Sequence, residues 1–218
     1  TMDDEVFEDY DRELELAPPG LGEVMIRIDA AGLCHSDLSV IDGNRPRPLP
    51  MALGHEAAGT VIEIGAGVDD LQPGDQVVCV FVPSCGACLS GAEGRPALCE
   101  PGAGANGAGT LLSGARRLVC DGEPVNHHLG VSGFASHATL SRRSLVKIDP
   151  SLAFEQAALV GCAVLTGVGA VVNAAAVKPG TSVAVIGLGG VGLAALLGAK
   201  AAGAERIIAV DRMPARLQ

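Results

Sequence analysis

Residues 182–211 constrain the fold more than any other stretch. Ser182-Val183-Ala184-Val185-Ile186 is an apolar run that leads straight into Gly187-Leu188-Gly189-Gly190-Val191-Gly192 and then into Leu193-Ala194-Ala195-Leu196-Leu197-Gly198-Ala199-Lys200. Such a run bounded by glycines reads as a buried strand, and the Ala/Leu-rich stretch behind it as a helix. A glycine turn between them lets the backbone approach a pyrophosphate, which then rests on amide groups at the positive end of the helix. On its own the glycine pattern is also that of a plain tight turn. Here Arg206-Ile207-Ile208-Ala209-Val210 adds a second buried strand, and it ends on Asp211, 19 residues after Gly192. A carboxylate there accepts hydrogen bonds from both hydroxyls of an adenine ribose and repels a 2′-phosphate, which favours NAD over NADP. Arg212 and Arg216 temper that preference. One βαβ unit cannot complete a six-stranded doubly wound sheet, so the expectation is that this sequence is part of a longer protein.

Chemistry concentrates elsewhere. Leu33-Cys34-His35-Ser36-Asp37 follows the alternating stretch Val24-Met25-Ile26-Arg27-Ile28-Asp29, and is expected where a strand runs out into a loop. Gly54-His55-Glu56-Ala57-Ala58-Gly59 sets a His beside a carboxylate between glycines, and Val160-Gly161-Cys162-Ala163 places a Cys in an apolar run. Each alone fits a buried thiol or a surface imidazole. Together, Cys34, His55 and Cys162 are two thiolates and one imidazole, a zinc set with the fourth position open for water or substrate.

Gly32-Leu33-Cys34-His35-Ser36-Asp37, Gly54-His55-Glu56 and Gly161-Cys162 resemble the three catalytic-zinc motifs of the zinc-dependent medium-chain alcohol dehydrogenases, in the family's order from about Leu14 to Gln218. The resemblance implies an α/β chain: a β-rich, GroES-like catalytic domain over 1–163, then the start of a Rossmann doubly wound dinucleotide-binding domain over 164–218. It implies reversible oxidation of an alcohol to an aldehyde or ketone, with hydride passing to NAD and zinc acting as Lewis acid. Cys34, His55 and Cys162 would hold that zinc, with Glu56 behind it. Ser36 would take the alcohol proton, and Asp37 would orient His55. His35 would contact the cofactor phosphates. Thr166, Gly187, Gly189, Gly190, Val191, Gly192, Asp211 and Arg216 would complete the cofactor contacts. Phe81, His128, Leu129 and Arg45 would line the substrate pocket. The family's proton relay continues to a His three residues beyond the Ser, where this chain has Ser39, so proton exit needs another route.

Two alternatives stay open. One is an S-(hydroxymethyl)glutathione (formaldehyde) dehydrogenase, against which stands Arg45 where those enzymes carry an acidic residue. The other is an inactive zinc- and nucleotide-binding relative.

Cys85, Cys88 and Cys99 form a second set, with the first two at the two-residue spacing of a metal knuckle. Structural zinc wants four ligands. The resemblance places the missing Cys at Gly91, so either this zinc is lost or weakly held, or a neighbour such as Glu93 completes the shell. Residues 101–114, rich in Gly, Ala, Asn and Ser, are expected to be loop. Asn126-His127-His128 precedes an expected strand at Phe134-Ala135-Ser136-His137-Ala138-Thr139. Adjacent strand residues face opposite ways, so the two imidazoles are expected in the core or pocket wall and not on one ion. Glu155 to Ala176 is expected to be mainly helical, bringing Cys162 and Thr166 to an interdomain cleft, with Lys178-Pro179-Gly180 as the following turn. Residues 1–13 are mostly acidic, and the family's opening strand is not evident there.

Composition excludes whole classes. A formal charge of −10 argues against a nucleic-acid groove, which needs basic residues to displace counterions. The apolar runs are interrupted by Gly, Thr and Asn, so no membrane span is expected. Seven Cys without a leader pattern read as metal ligands and thiols in the cytoplasm more readily than as disulfides. The expected partners are a small alcohol or aldehyde and further copies of the chain, as a dimer or tetramer.

Overall fold

A computed structural model describes residues 12–217. In chain order the strands are β1 (Glu15–Leu16), β2 (Glu23–Gly32), β3 (Met51–Ala52), β4 (Glu56–Ile64), β5 (Gln76–Cys79), β6 (Leu118–Cys120), β7 (Glu123–His127), β8 (His137–Ser141), β9 (Leu145–Lys147), β10 (Ser182–Ile186) and β11 (Arg206–Val210). The α-helices are α1 (His35–Ile41), α2 (Leu89–Ala92), α3 (Glu100–Ala108), α4 (Phe154–Leu159), α5 (Leu165–Gly169) and α6 (Gly190–Ala201). The chain divides into two compact units, one running to Ala158 and the other from Leu159. The acidic residues 1–11 lie outside the described residues.

The first unit is built on a five-stranded antiparallel sheet in the order β8-β2-β4-β5-β9. Alternation along β2 buries Val24 and Ile26 completely, in one cluster with Val61, Val77, Ala138 and Leu140 of the same sheet. Full burial of a side chain such as Ile26 is worth about 1.5–3 kcal/mol. The opposite face carries Arg27, which reaches Asp29 at 2.8 Å, and Thr60 Oγ1 donates to Asp29 at 2.7 Å. A shift in the β2–β4 pairing between Ile28 and Ala30 brings Gly32 opposite Glu56. That register sets the chemistry: Cys34 lies two residues past one end of the pair, and His55 one residue before the other. A smaller sheet, β1-β6-β7-β3, completes the unit.

Three segments depart from expectation. The chain after β2 turns at once into α1, so His35, Ser36 and Asp37 are helical and only Leu33 and Cys34 connect. Alternation stops at Gly32, but Asp37 reaches back from the third helical position to the Cys34 amide at 3.3 Å, the carboxylate half of a capping box, and this starts the helix. Residues 100–108 form α3, not loop. Its Gly and Ala content is a poor helix signal, yet Cys99 Sγ accepts from Gly102 N, a Pro occupies the first turn, and Gly109 closes the end at φ 68°. Gly102 also lies so close to the Pro83 carbonyl that any side chain would collide. The third is β8, which begins at His137, not Phe134: the preceding residues bend, and Phe134 N donates to Leu53 O at 3.0 Å.

In the second unit β10 and β11 run parallel from Ser182↔Arg206 to Ile186↔Val210, with α6 as the crossover. Residues 154–174 are helical throughout, with π turns at Val160–Val164 and Ala170–Ala174. This 21-residue run has a mean hydropathy of 1.9, long and apolar enough to cross a membrane by length and composition. From Leu159 on, one face of it packs within the second unit: a Cβ on Gly167 would strike the Val191 carbonyl and Ala194 of α6, and Val171 packs with Ala195 and Ala199, while Leu165 and Val172 stay half exposed.

Candidate functional site

His55 is 1% exposed, and its Nδ1 sits 3.2 Å from Asp37 Oδ1. Asp37 is itself buried, and the same oxygen accepts the Gly54 amide at 3.1 Å while Oδ2 takes that of Cys34. Burial alone would raise this carboxyl, but the His128 and His55 imidazoles beside it outweigh that effect and hold it well below the usual carboxylate range. A charged Asp37 keeps the proton on His55 Nδ1 and leaves Nε2 as a bare donor pair, which is how a metal-binding imidazole is prepared. Donor atoms of Cys34, His55 and Glu56 lie within 4.8 Å of one another. Glu56 is 2% exposed at the start of β4, and Cys34 is half-buried as the residue before α1. Sulfur, nitrogen and carboxylate in so tight a buried set fit a zinc ion. Cys162 belongs to the second unit, half-buried in its first π turn.

Of the expected pocket residues, Phe81 and His128 gather at the His55 ring and Arg45 stands apart. Phe81 packs edge-on to His55, with centroids 5.9 Å apart, and Asn106 Nδ2 holds the Phe81 carbonyl at 2.7 Å. His128 is fully buried, its ring 5.3 Å from that of His55 and its Nδ1 3.0 Å from Asp37 Oδ1. Leu129 is buried next to it at φ 53°. Arg45 is exposed, its amide donating to Ser39 O. His35 is exposed and Ser36 half-buried, while Ser39 Oγ donates back to the His35 carbonyl at 3.0 Å. Sequence reading missed Asn106, hidden in a supposed loop, and the His128–Asp37 approach, whose partners are far apart in sequence. His127 faces differently: its Nε2 accepts from Arg117 N at 3.0 Å, and burial pushes it down to about 4.

Cys85, Cys88 and Cys99 also converge, their sulfurs within 4.8 Å, with no fourth His, Cys, Asp or Glu group in the set among the described residues. Glu93 caps the end of α2, exposed, and is not part of it. Backbone amides point at the sulfurs: Cys85 N to Cys99 at 3.2 Å, Ala87 N to Cys85 at 3.5 Å and Gly91 N to Cys88 at 3.4 Å. The Ala87 amide leads in bringing the Cys85 thiol down to about 7, whereas Cys88 is raised because burial and the neighbouring sulfurs outweigh its own amide bond from Gly91. An open cavity of about 570 Å³ over Glu23, Cys85 and Arg142 includes none of Cys34, His55 or Asp37.

In the second unit the glycines divide their work. Gly187 sits at φ 94°, which side chains avoid, and a Cβ on Gly192 would strike the Gly187 carbonyl. Nothing lies within 4 Å of where a Gly189 side chain would begin, and no side chain caps α6, so its first amides stay open. That arrangement fits a pyrophosphate. Asp211 Oδ2 accepts from Leu188 N at 2.7 Å and Oδ1 from Met213 N at 2.8 Å, and the Leu188 bond leads in lowering its pKa. Arg216 approaches the same carboxylate at 3.5 Å. Val191 and Thr166 are exposed, and Gly190 lies in the first turn of α6.

The family described as the alcohol dehydrogenase GroES-like domain matches residues 20–150. The chain belongs to that family. An S-(hydroxymethyl)glutathione dehydrogenase from Synechocystis sp. is 43% identical over 207 residues, which is 94% of this chain and 56% of that protein. The chain thus spans about half the length of the curated relatives it matches. Among solved structures, an alcohol dehydrogenase zinc-binding domain protein from Burkholderia ambifaria superposes with TM-score 0.89 at 40% identity, over 94% of this chain and 55% of that one. The benzyl alcohol dehydrogenase of Acinetobacter calcoaceticus gives 0.87 at 39%, over 94% and 56%. As an alcohol dehydrogenase GroES-like chain, it has the α/β, β-rich character expected from its sequence.

Proposed function

We propose that the chain carries the metal centre and the first nucleotide-binding unit of an NAD-dependent zinc alcohol dehydrogenase. The Cys34–His55–Glu56 set, with His55 and Glu56 buried and His55 oriented by Asp37, carries this reading. Cys34, His55 and Cys162 would hold the zinc. When bound, zinc supplies the Lewis acidity that lowers the pKa of an alcohol oxygen, and NAD supplies the hydride acceptor. Asp37 keeps His55 in the Nδ1–H tautomer throughout. Ser36, two residues past Cys34, takes the alcohol proton on its hydroxyl. Ser39 donates into its own helix, so the proton leaves Ser36 through water. Phe81 and Leu129 shape the apolar wall, with Arg45 at its rim, and Glu56 would back the metal site. Gly187, Gly189, Gly190, Val191 and Gly192 offer backbone amides to the pyrophosphate, with His35 and Thr166 on the cofactor. Asp211 receives the ribose hydroxyls, and Arg216 steadies that carboxylate. A small alcohol or aldehyde is the substrate, and the working form is a cytoplasmic dimer or tetramer.

The 43% identity to an S-(hydroxymethyl)glutathione dehydrogenase favours a second reading in which that thiol adduct is the substrate. Zinc content of the full-length protein, measured alongside NAD reduction with primary alcohols, benzyl alcohol and a formaldehyde–glutathione mixture, tests both. Zinc with turnover of simple alcohols supports the first reading. Turnover confined to the glutathione mixture supports the second, and metal-replete protein with neither sinks both.

A further inference from the structure

Asp37 Oδ1 is crowded. It lies 3.2 Å from His55 Nδ1, 3.1 Å from the Gly54 amide and 3.0 Å from His128 Nδ1. One carboxylate oxygen offers two lone pairs, so three donors exceed what it can serve in good geometry. The strain is visible on both sides. A charge-assisted N–H···O⁻ bond is normally about 2.7–2.9 Å, and the His55 bond is longer than that. The His128 ring, although nearer, is not aligned for a full hydrogen bond, and neither of its nitrogens has such a partner. His128 has nowhere else to go. It is 0% exposed, and its backbone is fixed by a turn in which Leu129 and Gly130 take φ 53° and 68° while Ser132 Oγ accepts the His128 amide at 3.2 Å.

A ligating imidazole that gives its second proton to a carboxylate is a more basic and better oriented ligand, and weakening that bond weakens the ligand. We infer that His128 competes with His55 for Asp37 Oδ1, a positioning residue that loosens the carboxylate's hold on His55 and thereby lowers zinc affinity at that ligand. The inference rests on the zinc reading above. Two effects follow: the ion exchanges more readily, and His55 gives it less electron density.

Full-length His128→Phe fills the ring volume without a donor, His128→Leu does the same if Phe overpacks, and His128→Asn keeps an N–H near the Nδ1 position. Zinc affinity is measured by chelator competition, with Cys34→Ser used to subtract zinc held elsewhere. The His55 Nδ1–H resonance is followed by NMR in metal-free protein. The Phe or Leu variant is expected to bind zinc about tenfold more tightly and to move that resonance downfield, with Asn staying close to wild type. An unchanged resonance and affinity in both donor-free variants, or a weaker site, would overturn the competition. If wild type holds no zinc that Cys34→Ser removes, it is the zinc reading that fails, while the metal-free resonance still decides whether the two imidazoles compete.

Discussion

The two cysteine sets of the first unit are opposite solutions to holding a soft cation. Around Cys34 and His55 the groups are set by a core sheet, with Gly32 registered opposite Glu56, and they are tuned by a buried side chain, Asp37. Around Cys85, Cys88 and Cys99 the lobe is largely exposed, and the sulfurs are tuned by backbone amides and by one another, with no other side chain bonded to them among the described residues. A side-chain network can be retuned by one substitution, whereas amide–sulfur bonds survive most of them. The first set is therefore fragile to mutation and fit for chemistry, and the second is tolerant, holding three sulfurs together with glycine at position 91.

Cys34→Ser breaks the contrast hardest: NAD-linked turnover should fall below detection while nucleotide binding, read by fluorescence titration, is kept. An active variant would remove the first set from the chemistry. Asp37→Asn removes the charge that fixes His55, and zinc affinity by chelator competition should drop by roughly 10–100-fold. The same measurement on a backbone-tuned sulfur has no single-residue equivalent.

Acid acts outside both sets, at His127 on β7. His127 titrates at about 4 in the folded chain against an ordinary 6.5. The unfolded chain therefore takes up a proton first, and the stability this neutral imidazole contributes is full above 6.5 and is lost as pH falls from 6.5 toward 4. The loss reaches roughly 3 kcal/mol at pH 4, and His127→Gln, which can still accept from Arg117 N, should flatten the melting temperature over that window. Equal slopes for the variant and wild type would show that carboxylates, and not His127, carry the acid sensitivity.

The smallest effect is expected at Gly91, where an added Cβ would meet only Cys88 Sγ at 3.6 Å. Gly91→Cys should complete a four-thiolate set, slow zinc release from this lobe and raise the melting temperature by a few degrees, about 1 kcal/mol. No change in zinc stoichiometry would mean that the open position is not the lobe's defect.

Much of this was legible in the chain. Alternation marked β2, apolar runs marked β10 and β11, and the glycine turn between β10 and α6 was visible because positive φ and close packing admit almost nothing but Gly. The helix at 100–108 was not legible, since its stability comes from the Cys99 and Gly109 caps and from Asn106 gripping Phe81 O, and not from propensity. Nor was the sharing of Asp37, because a carboxylate in one helix and an imidazole 91 residues later leave no periodic trace.

What the sequence determined by itself is what short-range chemistry dictates: which residues can ligate a metal, which glycines a nucleotide turn demands, and which segments must be buried. What tertiary structure decided is which donors meet one acceptor. Strand register brings Cys34 to His55, and the turn at Leu129 drives His128 onto an oxygen already in use. Hydrogen bonding saturates, so the outcome of that crowding depends on angles and distances that residue identity alone does not encode.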